Sequence, residues 1–233
     1  MQSGKFPQHL IKYWYQRKFL FSRFNEGIWM NEESWFSVTP EALAKSIAEH
    51  ISRTAAPSTI IDGFCGAGGN TIQLAMIANR VIAIEKNPVT LRCARHNAQI
   101  YGVADKITFI EGDFFEVLAR GEVQADVLFM SPPWGGPEYL EQEVFELDQM
   151  KPYDLWEIMK AARQVTPNLA MFLPRNSNLD HLRQESDEAD EADDQTVLIT
   201  YLHANNKCKA ICVYYGDLAE PASDYYDLIP PLS

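Results

Sequence analysis

The sequence predicts a doubly wound α/β fold, in which helices cover both faces of a mostly parallel, seven-stranded sheet. Short apolar runs rich in β-branched residues alternate with segments of helical period, and acidic residues follow several of these runs. Strands that alternate with helices form parallel sheets, because each crossover helix packs on a face of the sheet. The 233 residues suffice for one such domain with an appendage, and 46% of them are apolar, which suffices for a core.

The first element is predicted over residues 12–24, KYWYQRKFLFSRF, which mix aromatic and basic side chains. Trp14, Lys18 and Phe21 recur there at near-helical spacing. This pattern indicates an amphipathic helix, which either packs on the main domain or turns its basic groups toward a phosphate ligand. We therefore predict a small helical extension over residues 1–38.

A second helix is predicted over about residues 40–51, at the start of the main domain. Thr39 is a suitable N-cap, Pro40 suits the first helical position, and Glu41 complements the helix dipole. The main domain is predicted to span residues 39–219, and residues 220–233 are predicted to be an acidic tail.

Strands and helices then alternate to the end of the chain. The predicted strands are STIID, RVIAIE, KITFIEGD, ADVLFMSPP, NLAMFLPRN, TVLITYLH and KAICVYYGD. Helices are predicted over TIQLAMIA, over residues 88–100 and over YDLWEIMKAARQV. A short polar turn joins the last two strands, which predicts a terminal hairpin with an antiparallel edge, the last strand being antiparallel.

Charge limits the partners that this chain can bind. Its net charge is −12, whereas a protein that grips long nucleic acid presents a basic face to the phosphates. If the chain acts on nucleic acid, we expect it to bind a small feature through a few well-placed groups. Part of the acidity lies in residues 185–194, ESDEADEADD, which predict a solvated loop.

Cysteine spacing and hydropathy set further limits. The four cysteines lack Cys-x-x-Cys spacing, which predicts reduced thiols and no metal site. There is no run of eighteen apolar residues, so we expect no membrane span. The first residues, MQSGKFPQHL, lack the basic-then-apolar pattern of a secretory signal.

A glycine-rich loop follows the first predicted strand. Asp62 ends that strand, and Gly63, Gly66, Gly68 and Gly69 come before a helix. Glycines allow a tight turn and close approach of a ligand to the backbone, and the start of a helix offers free N–H groups. The loop therefore predicts a ligand site at the carboxyl end of the strand.

Two further acids end the next two predicted strands. Glu85 lies 23 residues after Asp62, where an acid can accept both hydroxyls of a ribose, and Asp113 ends the third strand. The carboxyl ends of parallel strands share one edge, so the three acids predict a cleft for a nucleoside cofactor. A dinucleotide and S-adenosylmethionine both fit this pattern. Asp62 favours S-adenosylmethionine, because it would repel a pyrophosphate but balance the positive sulfonium and α-amino groups.

The fourth predicted strand ends in Ser131-Pro132-Pro133-Trp134. This tetrapeptide resembles the motif of amino-methyltransferases, in which Asp- or Asn-Pro-Pro precedes Tyr, Phe or Trp. The two prolines stiffen the turn and hold its carbonyls outward. The resemblance implies that those carbonyls and the first side chain accept hydrogen bonds from an exocyclic amine, while the aromatic ring stacks on the base.

Residues 9–219 as a whole resemble the catalytic domain of the trimethylguanosine synthases. The matching segments include LFSRF, WFSVTPE, DGFCGAGGNTIQ, RVIAIE, YGVADKI, SPPWGGPEY and FLPRN. Ser before Pro-Pro-Trp and Gly-Gly-Pro after it are specific to that branch. The resemblance implies a class I S-adenosylmethionine-dependent methyltransferase fold. It also implies double methylation of N2 in the 7-methylguanosine cap of small nuclear and nucleolar RNAs.

Site residues follow from the motifs together with this resemblance. The predicted cofactor-binding residues are Phe21, Thr39, Asp62, Phe64, Gly66, Gly68, Asn70, Glu85, Lys86, Asp113 and Phe114. The predicted substrate-binding residues are Lys12, Ser131, Pro133, Trp134, Tyr139, Arg175 and Asn176, with Lys12, Tyr139 and Arg175 at the cap triphosphate. Glu85 stands where members of the family often carry Asp, and either residue can hold a ribose.

The predicted catalytic residues are Ser131, Pro132 and Trp134. Carbonyls of Ser131 and Pro132 are expected to hold the amine hydrogens, and the Ser131 hydroxyl to help a proton leave. Trp134 is expected to attract the cationic base through its ring face.

The resemblance also implies partners and a location. The expected partner is 7-methylguanosine-capped RNA, with small ribonucleoprotein proteins as further partners, and no metal or membrane. A monomer in the nucleus, at the nucleolus or nuclear bodies, and in the cytoplasm is expected.

Three other functions stay open from the residues. The first is a methyltransferase for another exocyclic amine, such as adenine N6 or a glutamine amide, which would not depend on 7-methylation. The second is a cap-binding module without turnover, opposed by the intact Asp62, Glu85, Asp113 and Ser131. The third is a nicotinamide oxidoreductase, which leaves Ser-Pro-Pro-Trp unexplained.

Overall fold

The computed structural model describes residues 6–135, 142–182 and 196–220, and a seven-stranded sheet forms its centre. The strands are β1 (Thr59–Asp62), β2 (Arg80–Glu85), β3 (Ile107–Glu111), β4 (Val127–Met130), β5 (Leu169–Pro174), β6 (Leu198–Ala204) and β7 (Lys207–Tyr214). They lie in the order β3-β2-β1-β4-β5-β7-β6, and β1 to β5 run parallel. The predicted hairpin and antiparallel last strand are confirmed, but β7 inserts beside β5 and leaves β6 at the edge.

Helices flank this sheet on both faces. They are α1 (Ile11–Trp14), α2 (Arg17–Leu20), α3 (Ser34–Ser37), α4 (Glu41–Thr54), α5 (Gly69–Ile77), α6 (Pro88–Tyr101), α7 (Phe114–Ala119) and α8 (Leu155–Arg163). None of the helices in the described ranges is both long and apolar enough for a membrane crossing.

Strand residues alternate between two apolar clusters, one on each face of the sheet. Ile60 packs in one cluster and its neighbour Ile61 in the other, because successive side chains of a strand point to opposite faces. The amino-terminal extension joins the first cluster through Leu10, Leu20 and Trp35, all of them buried. The extension is therefore packed into the same core as the sheet.

Two short helices, α1 and α2, lie in the first part of the extension, where the sequence predicted one continuous helix over residues 12–24. Trp14 packs against Phe6, Phe24 and Trp35, with ring centroids 5.3, 5.7 and 6.0 Å apart. These rings come from three separate parts of the extension, so their packing folds the chain back on itself. Contact among aromatic side chains thus outweighs the continuity of a single helix.

The predicted N-cap of α4 is wrong. Pro40 occupies the cap position, and no side chain caps the helix. The Thr39 hydroxyl instead accepts a hydrogen bond of 2.8 Å from Nδ2 of Asn70, which lies in the first turn of α5. Thr39 therefore ties the extension to the helix that follows the glycine loop.

Helix α7 was not predicted from the sequence. It has only six residues, and Asp113 caps its start by accepting a 3.0 Å hydrogen bond from the Phe115 N–H. Helix α8 begins with a capping box, in which Asp154 and Glu157 each accept from the other's backbone N–H. Both caps fix chain segments at the carboxyl ends of the parallel strands.

Candidate active site

The carboxyl ends of β1 to β4 open onto one cleft of about 510 Å³, a volume typical of small-molecule sites. Its walls come from the glycine loop, the strand ends and the Ser131–Trp134 turn, as predicted for parallel sheets. The predicted cofactor-binding residues that line it are Thr39, Phe64, Gly66, Asn70, Glu85, Lys86, Asp113 and Phe114. The predicted residues Phe21, Asp62 and Gly68 are not among its lining residues.

The glycine loop needs glycine for two different reasons. Gly66 has a φ of +52°, in the left-handed region that side chains with a Cβ rarely adopt. Gly69 has no room for a Cβ, because that atom would lie 2.7 Å from Val38 Cγ2 and 3.1 Å from the Thr39 carbonyl oxygen. The extension therefore presses directly on the start of α5.

We expect Gly69→Ala to lower the free energy of unfolding by about 1–3 kcal/mol, the usual cost of overpacking. It should also weaken cofactor binding, because Val38 and Thr39 line the cleft and would be displaced. Thermal unfolding and calorimetric titration with S-adenosylhomocysteine measure the two effects. The double variant Gly69→Ala/Val38→Ala should recover part of both losses. A single variant that behaves like the parent would contradict the close contact.

Asp62 lies behind the glycine loop rather than in the cleft. Its side chain is fully buried and accepts hydrogen bonds from the Thr71 hydroxyl at 2.6 Å and from the Phe64 N–H at 3.3 Å. Burial raises the pKa of Asp62 to about 7. Asp62 therefore holds the loop in shape. In the predicted role, its carboxylate would attract a positive group of the cofactor from the far side of the loop backbone.

Glu85 faces the cleft from the end of β2. One carboxylate oxygen accepts from the Gly66 N–H at 3.1 Å and the other from the Asn87 N–H at 2.8 Å. Burial raises the pKa of Glu85 despite these two bonds. A carboxylate oxygen accepts more than one hydrogen bond, so both oxygens can also receive a hydroxyl group from a ligand.

Aromatic rings surround Asp113 at the end of β3. Phe64 stacks on Phe114 with centroids 4.8 Å apart and an interplanar angle of 26°. The Tyr153 hydroxyl donates a hydrogen bond to Asp113, and its ring receives the Lys86 ammonium group at 5.4 Å. Tyr153 lines the cleft, although no sequence motif marks it as a site residue. Its contact with Asp113 spans 40 residues and leaves no local signal.

All four residues of the Ser131–Trp134 turn line the cleft. Pro132 is buried, whereas Ser131 and Trp134 are partly exposed to the cleft. Trp134 stacks on Phe172 of β5, with centroids 5.3 Å apart and an interplanar angle of 29°. The sheet thus supports the indole ring, and the turn brings that ring into the same cleft as the strand-end acids.

The extension supplies one wall that the sequence did not identify residue by residue. The lining residues from the extension are Tyr13, Glu33, Phe36, Ser37 and Val38, and Thr39 follows them directly. Lys12 is exposed beside this wall, with its ammonium nitrogen 4.8 Å from the centre of the Tyr13 ring. Phe21, predicted to lie near the adenosine, is instead buried against Tyr101 in the apolar core. Burial of its aromatic side chain in the apolar cluster accounts for this position.

The remaining predicted substrate residues lie at the end of β5 or outside the described residues. Arg175 follows β5 and is exposed, outside the cleft lining. The side-chain Nδ2 of Asn176 donates to the Gln142 backbone carbonyl at 2.9 Å. The backbone carbonyl of Asn176 accepts from the Phe145 N–H at 2.8 Å. Asn176 thus anchors the segment that follows the Ser131–Trp134 turn. Tyr139 lies outside the described residues, as does the acidic stretch 185–194.

One group of metal-ligating side chains occurs in the described ranges. Glu146, Asp148 and His181 bring one ligand atom each to within 4.8 Å of the others. His181 Nε2 lies 3.4 Å from Glu146 Oε2, and the group is outside the cleft lining. Two of its three members are carboxylates with 38% and 47% of the side chain exposed.

Comparisons with known proteins identify the family of this chain. A sequence model described as RNA cap guanine-N2 methyltransferase matches residues 57–218. The trimethylguanosine synthase of Schizosaccharomyces pombe is 40% identical over 214 residues, which cover 90% of this chain and 87% of that protein. The trimethylguanosine synthase of Saccharomyces cerevisiae is 37% identical over 233 residues, or 96% of this chain and 72% of that protein.

Solved structures support the fold independently of close sequence similarity. The crystal structure of a Porphyromonas gingivalis protein described as a methyltransferase superposes with a TM-score of 0.69 at 18% identity. The match covers 94% of this chain and 53% of that chain. At this identity the comparison concerns the fold alone, and it agrees with the predicted doubly wound sheet.

Proposed function

The chain belongs to the RNA cap guanine-N2 methyltransferase family, and from this premise we propose that it converts a 7-methylguanosine cap to a 2,2,7-trimethylguanosine cap. Two methyl groups of S-adenosylmethionine are transferred in turn to the exocyclic N2 amine. The observation that best supports this function is the presence of Trp134 in one cleft with Glu85 and Asp113. A base stacked on Trp134 would lie beside a cofactor held by the two acids.

The residues of the cleft fit S-adenosylmethionine. Glu85 has oxygens available to the ribose hydroxyls, and Asp113 with the surrounding rings suits the adenine end. The glycine loop, backed by Asp62, suits the charged methionine end. When bound, this cofactor supplies a methyl group made electrophilic by the positive sulfur. The protein residues need only bind, orient and move a proton.

The substrate amine is a poor nucleophile, because the positive charge of 7-methylguanine withdraws its lone pair. Positioning therefore has to supply much of the acceleration, and well-oriented reactants can gain about 7–11 kcal/mol at best. In the proposed mechanism, carbonyls of Ser131 and Pro132 accept the amine hydrogens and aim the lone pair toward the cofactor. After transfer the nitrogen is strongly acidic, and the Ser131 hydroxyl helps its proton leave.

Stacking on Trp134 selects the methylated base. A cation over an aromatic ring gains about 0.5–2 kcal/mol, depending on how far the pair is removed from water. Phe172 covers one side of the indole and so fixes its plane. Unmethylated guanine lacks the charge and would lose this attraction.

The cap triphosphate is assigned to a few cations. Lys12 beside the extension wall and Arg175 after β5 take this role in the proposal, with Tyr139 as a further contact. Guanidinium groups bind phosphate oxygens in a bidentate manner. Recognition of a single cap by few cations is compatible with a protein of net charge −12.

The biological setting follows from the family. We propose that the substrates are capped small nuclear and nucleolar RNAs, modified in the nucleus and cytoplasm, with small ribonucleoprotein proteins as partners. The division into an extension (1–38), a methyltransferase domain (39–219) and an acidic tail (220–233) and the monomeric state are also proposals.

A transfer assay tests the proposed function. The purified chain is incubated with radiolabelled S-adenosylmethionine and either 7-methyl-GTP or GTP, and the methyl groups per acceptor are counted. We expect up to two methyl groups on 7-methyl-GTP and no transfer to GTP. Equal transfer to both acceptors would instead favour a general amine methyltransferase. If neither is methylated while the cofactor still binds, cap nucleotides are not sufficient substrates.

A further inference from the structure

Tyr153 bridges the ends of two neighbouring strands above the cleft. Its hydroxyl donates to Asp113 after β3, and its ring face receives the ammonium group of Lys86, which follows β2. The ring also packs edge-on against Phe115, with centroids 4.8 Å apart and an interplanar angle of 67°. Tyr153 comes from the chain segment before α8, which is remote in sequence from both strands. It thus closes the wall around Asp113.

The hydrogen bond from Tyr153 determines which ligand groups can bind to Asp113. One Asp113 oxygen caps α7 through the Phe115 N–H, and the other accepts from the Tyr153 hydroxyl. Burial, followed by the bond to Asp113, raises the pKa of Tyr153 to about 12, so the hydroxyl stays protonated at neutral pH and acts as the donor. Both Asp113 oxygens therefore accept a hydrogen bond and present their remaining lone pairs to the cleft. An ionised carboxylate is an acceptor only.

An acceptor-only group discriminates between purines. The amine at C6 of adenine can donate to Asp113, whereas a carbonyl at C6 would turn its lone pairs toward the carboxylate. Sites built to bind a donor reject analogues that lack it, because the carbonyl oxygen of such an analogue would face an acceptor. Without the Tyr153 hydroxyl, Asp113 loses one of its two anchors. Its carboxyl group can then turn, so that its acceptor oxygens are no longer held toward the amine at C6.

We propose that Tyr153 is a positioning residue that makes the cofactor site selective for a 6-aminopurine by holding Asp113. The inference deepens the proposed function and rests on it, since it concerns the same cofactor cleft. Tyr153 acts through Asp113 and has no direct part in methyl transfer.

The test compares two ligands related by deamination, which replaces the C6 amine by a carbonyl and places a hydrogen on N1. Calorimetric titration gives Kd for S-adenosylhomocysteine and for its deaminated form, S-inosylhomocysteine, in the parent and in Tyr153→Phe. We expect the parent to favour the amino form by about 100-fold and the variant by about ten-fold or less. An unchanged ratio in Tyr153→Phe, or a parent without preference, would overturn the proposal.

Two further variants control for structural effects. Tyr101 donates to Glu41 Oε2 at 2.5 Å, outside the cleft, so Tyr101→Phe removes the same kind of bond and should leave the ratio unchanged. Asp113→Asn keeps a side chain suited to the N-cap but adds an N–H donor. It should favour S-inosylhomocysteine relative to the parent; a ratio that stays at the parental value would count against the proposal.

The outcome is separable from that of the transfer assay, because no cap is present in the titration. If S-adenosylhomocysteine binds with an unaltered ratio in Tyr153→Phe, the selectivity role fails and the proposed function stands. If neither ligand binds the parent, both proposals fail.

Discussion

Replacement of Trp134 by Ala is expected to lower kcat/KM for 7-methyl-GTP by about 100-fold or more, while Kd for S-adenosylhomocysteine changes little. Stacking of a base on an aromatic ring contributes about 1–3 kcal/mol, and the positive charge of the methylated base adds to it. A loss near 3 kcal/mol corresponds to about 100-fold. Trp134 lies at the substrate turn after β4, whereas the residues proposed to hold the cofactor follow β1, β2 and β3, so the cofactor should keep its contacts.

The measurement pairs initial rates over a range of 7-methyl-GTP concentrations with calorimetry of the cofactor product. Trp134→Phe serves as the matched control, because it keeps a ring above Phe172 and should retain part of the activity. Full activity in Trp134→Ala would eliminate the stacking role. A large loss of cofactor affinity would show that the turn has collapsed.

The second large effect is expected at Asp62, where stability and binding should change in opposite directions. At pH 8 the parent must keep a fully buried carboxylate ionised, because its pKa is raised only to about 7. In Asp62→Asn the amide can still accept from the Phe64 N–H and can donate to the Thr71 hydroxyl. We expect the variant without cofactor to be about 1–3 kcal/mol more stable at pH 8. It should bind S-adenosylmethionine about ten-fold more weakly or worse, having lost the negative charge.

The pH dependence identifies the carboxyl group responsible. The native state holds the Asp62 proton up to a pH of about 7, whereas an unfolded aspartate loses it near 4, so the native state binds more protons in between. The free energy of unfolding of the parent therefore falls as the pH rises from about 4 to 7. Asp62→Asn lacks this contribution, and its advantage should grow from pH 5 to pH 8.

Urea unfolding at several pH values measures this difference. Asp62→Ala is the contrasting variant, because it leaves the Phe64 N–H and the Thr71 hydroxyl without their acceptor. An unpaired buried group costs about 1–3 kcal/mol, so this variant should be less stable than Asp62→Asn at every pH. If the advantage of Asp62→Asn does not vary with pH, the raised pKa of Asp62 is not its source.

The sheet could be predicted because each strand is a compact apolar run with its own boundary signals. Asp62, Glu85 and Asp113 mark the ends of three of these runs, and the topology alone brings them to one edge. Helix α7 escaped prediction because six residues carry little periodic signal. Its start depends on Asp113, whose side chain is both a helix cap and a residue of the cleft.

Contacts between distant residues account for the remaining differences. Thr39 is a residue type that favours an N-cap, but its hydroxyl oxygen accepts a hydrogen bond from Asn70, 31 residues away. The family resemblance placed Phe21 near the adenosine, yet Phe21 packs on Tyr101, 80 positions further along the chain. Neither partner can be identified from local pattern, because the competing interaction forms only when the start of the chain packs on α5 and α6. The same reason explains why Tyr153 was missed.

The carboxylates of the cleft also bear on the interval between the two transfers. Glu33, Glu85 and Asp113 line the space in which a positively charged donor becomes a neutral thioether. The carboxylates therefore attract the neutral thioether product less strongly than the methyl donor, whereas the 7-methylated base keeps its charge. We therefore expect the acid-lined cleft to release the used donor more readily than the half-modified cap.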